Sequence, residues 1–163
     1  MKLCGGLDTV QIWVAGYADK TTQIGGYCAH LRLSGTKYCK TESSASPYTN
    51  KNRLELRAIV AGLRKLKKPV DLVIYTTSNY IADGINNKLE LWYSRKWKKL
   101  HKSEYIEHKD LWEIIYTFYC KYNMRAVKIN TPLNDANSIY KYCYNIAKSE
   151  VSTQVILHNK IKG

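Results

Sequence analysis

The residues that could do chemistry fall into three groups. The first is Asn52-Arg53-Leu54-Glu55, preceded by Thr49, Asn50 and Lys51. A carboxylate at Glu55 can ligate a hard cation or move a proton. Thr49, Asn50 and Lys51 set short polar side chains beside a cation, a combination that can contact a phosphate and equally suits an ordinary exposed loop. An amide such as Asn52 both donates and accepts hydrogen bonds. The second group, Thr76-Thr77-Ser78-Asn79, follows an apolar run and repeats that amide and hydroxyl chemistry at Ser78 and Asn79. Asn52 and Asn79 suit ordinary helix or turn caps equally well, and Arg53 suits a structural ion pair beside Glu55. The third group is the segment Lys88 to Lys109, with seven basic residues and three acidic ones, and with Trp92, Tyr93 and Trp97 among them. Arg95, Lys96, Lys98 and Lys99 would neutralise phosphates while the rings pack on sugars or bases. The alternative is a solvated helix whose tryptophans anchor it to the core.

The remaining reactive residues form no pattern. His30, His101, His108 and His158 lack metal-like or triad spacing. Cys4, Cys28, Cys39, Cys120 and Cys143 are odd in number and include no CxxC pair, so they read as reduced packing residues. Lys and Arg exceed Asp and Glu by 26 to 13, a formal net charge of +13. Such a self-repelling balance makes most sense beside a polyanion, and nucleic acid is the first suspect. With 45% apolar residues and only 9 Gly and 3 Pro, the 163 residues can bury one core. No apolar run approaches a membrane span and Met1 to Thr9 lacks a signal-peptide pattern, so the expectation is a soluble, intracellular protein with no membrane partner.

The elements that must position these groups follow from hydrophobic period. Val10, Ile12 and Val14 alternate with Gln11, Trp13 and Ala15, the pattern of a strand with one buried face. A polar turn at Lys20 to Gln23, a strand from Tyr27 to Leu33, Gly35, and a short run at Tyr38 and Cys39 complete an antiparallel meander. Ser43 to Asn50 reads as a loop. Leu56, Ile59, Val60 and Leu63 make one helical stripe. Val70 to Tyr75 reads as a buried central strand, Asn79 to Ile85 as a short helix, Asp110 to Tyr122 as a helix and Arg125 to Ile129 as a last strand. Ile139, Cys143, Ile146 and Ala147 mark a closing helix. The expected fold is α/β, a mixed sheet covered by helices. Residues 1–9 form an extension, 10–148 the domain with a basic protrusion at about 88–109, and 149–163 a tail.

Several short words in this order resemble the ribonuclease HI family: Gly25-Gly26-Tyr27 with Ala29 and Leu31, then Asn52-Arg53-Leu54-Glu55-Leu56, Thr76-Thr77-Ser78-Asn79-Tyr80, Trp92 with Trp97-Lys98, and Asp110-Leu111-Trp112. The resemblance covers about Val10 to Lys148. It implies a five-stranded sheet, three strands antiparallel and the others parallel, flanked by helices. It further implies cleavage of the RNA strand of an RNA/DNA hybrid with two Mg²⁺ ions held by four carboxylates. By the same resemblance Asn50, Lys51, Asn52, Ser78, Asn79, Trp92, Arg95, Lys96, Trp97, Lys98 and Lys99 are the expected nucleic-acid contacts.

The family's carboxylate positions fall on Ala15, Glu55, Thr77 and Tyr144, so Glu55 alone is acidic, and its His-bearing loop has no counterpart in Asn130 to Asn137. The expectation drawn from this is a protein that is not an enzyme, a degenerate module that binds RNA/DNA hybrid or A-form-like RNA. No cofactor is expected beyond weak Mg²⁺ at Glu55. Two alternatives stand beside it: a protein-interaction scaffold with a protein partner, and a Mg²⁺-dependent ribonuclease H whose ligands have moved to Asp19, Asp83 or Asp135.

Overall fold

The structure, a computed structural model, describes residues 8–130 and 138–162. Five strands form one sheet: β1 (Thr9–Asp19), β2 (Ile24–Leu33), β3 (Cys39–Pro47), β4 (Asp71–Thr76) and β5 (Asn123–Lys128). Their spatial order is β3-β2-β1-β4-β5. The first three pair antiparallel, while β4 runs parallel to both β1 and β5. The helices are α1 (Lys51–Leu63), α2 (Asn79–Asp83), α3 (Leu89–Ser94), α4 (Lys109–Tyr119) and α5 (Ile139–Lys162), with a π-type turn over Gly84–Lys88 joining α2 to α3.

β1, not β4, lies at the centre, and it is buried on both faces. Ile12 and Val14 enter the main core with Leu56, Ile59 and Leu63 of α1. Trp13 and Ala15 point the other way, into a second cluster with Tyr140, Cys143 and Ala147 of α5. The alternation of a strand therefore serves two helical layers instead of one wet and one dry face. Glycine makes the close approach possible: a Cβ on Gly16 would stand 2.8 Å from the Leu54 Cβ on α1.

Two expected boundaries are corrected. Ser43 to Pro47 is not loop but the second half of β3, since Ser43 pairs with Cys28 and Pro47 with Ile24. Its polar residues suit an edge strand, whose pairing with β2 overrides weak intrinsic propensity. The tail beyond Lys148 is likewise ordered as α5, which continues to Lys162. It docks through buried Val151 and through Glu150, which accepts a hydrogen bond from Ser43 on β3 at 2.7 Å.

Candidate nucleic-acid interface

The site is built where the first turn of α1 meets the carboxyl end of β4. Asn50 caps α1, its side-chain oxygen accepting from the Arg53 amide at 2.9 Å. The first two turns carry Lys51, Asn52 and Glu55 to the β4 end. Ser78 caps α2 by accepting from the Ile81 amide at 3.2 Å, and its hydroxyl donates to the Asn52 side-chain oxygen at 2.8 Å. The caps are therefore Asn50 and Ser78. Asn52 has its oxygen engaged and its NH₂ group left as the donating end, and Asn79 stands exposed on the first turn of α2.

Behind these groups lies Glu55, with 0% of its surface exposed. Thr76 donates its hydroxyl to Glu55 Oε1 at 2.9 Å and receives the Ser78 amide at 3.0 Å. Glu55 Oε2 has no hydrogen-bond partner, and the Lys51 ammonium stands 4.0 Å from it. Burial pushes the Glu55 carboxyl up to about 7, against the opposing pulls of Lys51 and the Thr76 hydroxyl. The same ammonium donates to the Thr77 hydroxyl at 3.0 Å and lies 5.9 Å from the centre of the Tyr140 ring.

The neighbouring positions bring hydrocarbon and rings. Ala15 is fully buried against Cys28, Tyr140, Cys143 and Ala147. Tyr144 meets Tyr17 edge-on at 5.8 Å. Asp19 is occupied in its own turn, accepting from the Thr21 amide at 2.9 Å, and Asp83 accepts from Asn87 at 2.8 Å. Asp135 and most of Asn130 to Asn137 lie outside the described residues. Among the described residues no three His, Cys, Asp or Glu side chains converge as metal ligands. Magnesium demands several oxygen ligands in near-octahedral geometry. Among the described residues the one carboxylate at this point is the buried Glu55, with the Lys51 ammonium 4.0 Å away, and an ammonium repels a neighbouring cation.

The basic segment separates its rings from its charges. Trp97 is buried, its ring 5.7 Å from Tyr116, and Trp92 lies 5.0 Å from Trp112. Both tryptophans anchor the segment to the core, so stacking on a ligand does not fall to Trp97. Tyr93 and Tyr105 are the exposed rings. Tyr105, which the sequence reading passed over, has Lys109 at 4.8 Å and Lys98 at 5.9 Å from its ring centre. Lys99 pairs with Glu104 at 3.4 Å, while Lys96 is exposed and Arg95 and Lys98 half-buried.

Arg53 does not pair with Glu55. Its guanidinium grips Asp110 on α4 with bonds of 3.1 and 2.6 Å, and its Nη1 lies 3.2 Å from His108 Nδ1. No local signal marks two residues that far apart in the chain as partners.

The RNase H family profile matches residues 8–136. A Ribonuclease H of Caldicellulosiruptor saccharolyticus is 34% identical over 143 residues, which is 87% of this chain and 95% of that protein. The Ribonuclease H of Francisella philomiragia is 36% identical over 123 residues, covering 73% of this chain and 79% of its own. Among solved structures, LC9-RNase H1, described as a type 1 RNase H with the type 2 active-site motif, superposes with a TM-score of 0.69 at 20% identity, over 91% of this chain and 74% of that one. The foamy viral protease-reverse transcriptase in complex with RNA/DNA hybrid matches with a TM-score of 0.63 at 15% identity, over 94% of this chain and 21% of that one. No helix among the described residues is long and apolar enough to cross a membrane. The expectation that the protein is not an enzyme is overturned by these relatives, which carry the name Ribonuclease H over most of their length at such identity. The polar words, the five-stranded sheet and the matched span together place the chain in the RNase H family.

Proposed function

We propose that this protein is a ribonuclease H that binds RNA/DNA hybrid and acts on its RNA strand. The observation that carries the reading is the near-full-length relationship to a protein named Ribonuclease H. The Asn52 amide and Asn79, on adjacent helix starts, suit the sugar hydroxyls of the RNA strand in a wide minor groove. Lys51, together with Arg95, Lys96, Lys98 and Lys99, suits the phosphates, and exposed Tyr93 and Tyr105 supply faces for packing on the backbone. Glu55 alone is a weak anchor for magnesium, most of whose oxygen ligands would come from substrate phosphates and water.

The test uses one hybrid labelled on its RNA strand, with double-stranded DNA as control. Cleavage of the RNA strand in Mg²⁺ or Mn²⁺, lost in Glu55→Gln, is the expected result. An intact RNA strand under both ions, with binding retained, would overturn the hydrolytic half of the reading. Replacing Lys96, Lys98 and Lys99 together with Ala should weaken binding to all sequences alike and flatten its salt dependence.

A further inference from the structure

Beside the buried Glu55 carboxyl stands a fixed positive charge, the Lys51 ammonium. Lys51 sits on the first turn of α1, and its ammonium is tied to Thr77 Oγ1 at 3.0 Å, faces Glu55 Oε2 at 4.0 Å and lies over the Tyr140 ring at 5.9 Å. These three contacts come from the residue after β4, the body of α1 and the start of α5, so the charge is held from three sides. Its side chain nevertheless remains 49% exposed. An ammonium has three N–H donors, and the Thr77 hydroxyl takes one. Donors therefore remain to face solvent beside the Asn52 and Ser78 groups.

We infer that the Lys51 ammonium is the resident cation of this site and receives a backbone phosphate of the bound hybrid directly, so that capture of the duplex at this point needs no divalent ion. The inference rests on the hybrid-binding reading above. The arrangement suits a monoanionic phosphate for four reasons. The ammonium is positioned before the ligand arrives, which lowers the ordering cost of the contact. Glu55 stands behind it on the buried side, so the ammonium and not the carboxyl is the exposed group. Lys51 also lies on the first turn of α1, where the helix dipole adds partial positive charge. Ala15, Tyr140 and Tyr144 belong to one apolar cluster beside it, and these side chains bring no negative charge of their own.

Binding of a fluorescent hybrid is measured by anisotropy, before any strand is cut, in EDTA and in millimolar Mg²⁺. The wild type should bind in EDTA at least as tightly as in Mg²⁺, which competes with the lysines for the phosphates. Lys51→Met should lower affinity roughly five- to tenfold and make the slope of log K against log salt shallower by about one phosphate contact. Lys51→Arg should restore both. Because Lys51→Met leaves Glu55 buried without its counter-charge, Lys51→Met combined with Glu55→Gln is measured beside it in EDTA and should lose affinity and slope to the same extent.

Unchanged affinity and slope in both Lys51→Met variants, with the Lys96, Lys98 and Lys99 triple variant weakened, would overturn the role of Lys51 and leave hybrid binding standing. A tenfold or greater gain of wild-type affinity on adding Mg²⁺ would overturn it as well. Absence of wild-type binding in either condition would bring down the hybrid-binding reading and this inference together.

Discussion

Thr76 donates its hydroxyl to Glu55 at 2.9 Å, and both side chains are completely buried. The bond satisfies one carboxyl oxygen and leaves the other without a partner, so the carboxyl costs less to bury with its proton than without it. Its folded value of about 7 lies above the 4.5 of an ordinary Glu. The folded state then holds a proton that the unfolded chain has released, so stability falls as pH climbs through that window. The full loss is roughly 3 kcal/mol at most. His30 and His108 are both lowered by burial and act oppositely, favouring the fold as pH rises through their ordinary range. Glu55→Gln isolates the carboxyl. Urea unfolding at about pH 5 and about pH 8 should show the wild type gaining less, or losing more, stability than the variant over that interval; parallel curves would refute it.

The polar words that mark the site and the stripe of α1 were legible in the sequence because they are local: Asn50 to Glu55 lie within two turns of one helix, and Leu56 to Leu63 repeat at helical period. The meander was legible through Ile12 and Val14, but β3 was only half visible, since its second half owes its strand conformation to pairing with β2. The direction of the Lys51 ammonium was not legible, because Thr77 follows β4 and Tyr140 starts α5, both far along the chain. The burial of Trp97 was equally hidden, as aromatics between lysines look the same whether they face a ligand or a core. The rings of Tyr93 and Tyr116, stacked at 4.6 Å, enclose that side.

Arg53 and Asp110 pin α1 to the start of α4 through a two-pronged pair. Hydrogen bonding to Arg53 holds the Asp110 carboxyl below its usual value, so the pair contributes above the ordinary Asp range and is lost as pH falls through and below it. Asp110 is 62% exposed, and solvent screening keeps the contribution small. Arg53→Lys retains the charge but not the fork, and should cost about 0.5–1 kcal/mol in urea unfolding near neutral pH. A loss several times larger would mean that the His108 contact, at 3.2 Å, matters more than the carboxylate.

Lys96 and Trp97 occupy the left-handed region in succession, with φ of 56° and 68°. Each such residue costs roughly 1–2 kcal/mol relative to the right-handed form, and burial of the Trp97 ring offsets it. Lys96→Gly should therefore keep stability or raise it by up to about 1 kcal/mol, the relief exceeding glycine's added unfolded-state entropy. The same change at Lys98, whose φ is not positive, should cost stability. Both should weaken hybrid binding, which separates the grip of this segment from its folding. Equal destabilisation by the two glycines would show that the left-handed turn carries no strain.

Gly26 faces α5 so closely that a Cβ there would fall 2.1 Å from the Ala147 carbonyl oxygen. The obstacle is backbone, so no flexible side chain can yield and the helix itself would have to move. Gly26→Ala should cost about 2 kcal/mol or more in unfolding free energy, the scale of overpacking in a filled core. Gly35 supplies the contrast: its φ is +77°, yet nothing lies within 4 Å of where a Cβ would stand. Gly35→Asn, a residue that tolerates the left-handed region, should cost less than 1 kcal/mol. Displacing α5 would also carry Tyr140 away from Lys51, so Gly26→Ala should lower hybrid affinity under conditions where it remains folded, and Gly35→Asn should not. Full affinity in a folded Gly26→Ala protein would show that the α5 wall can shift without disturbing the site.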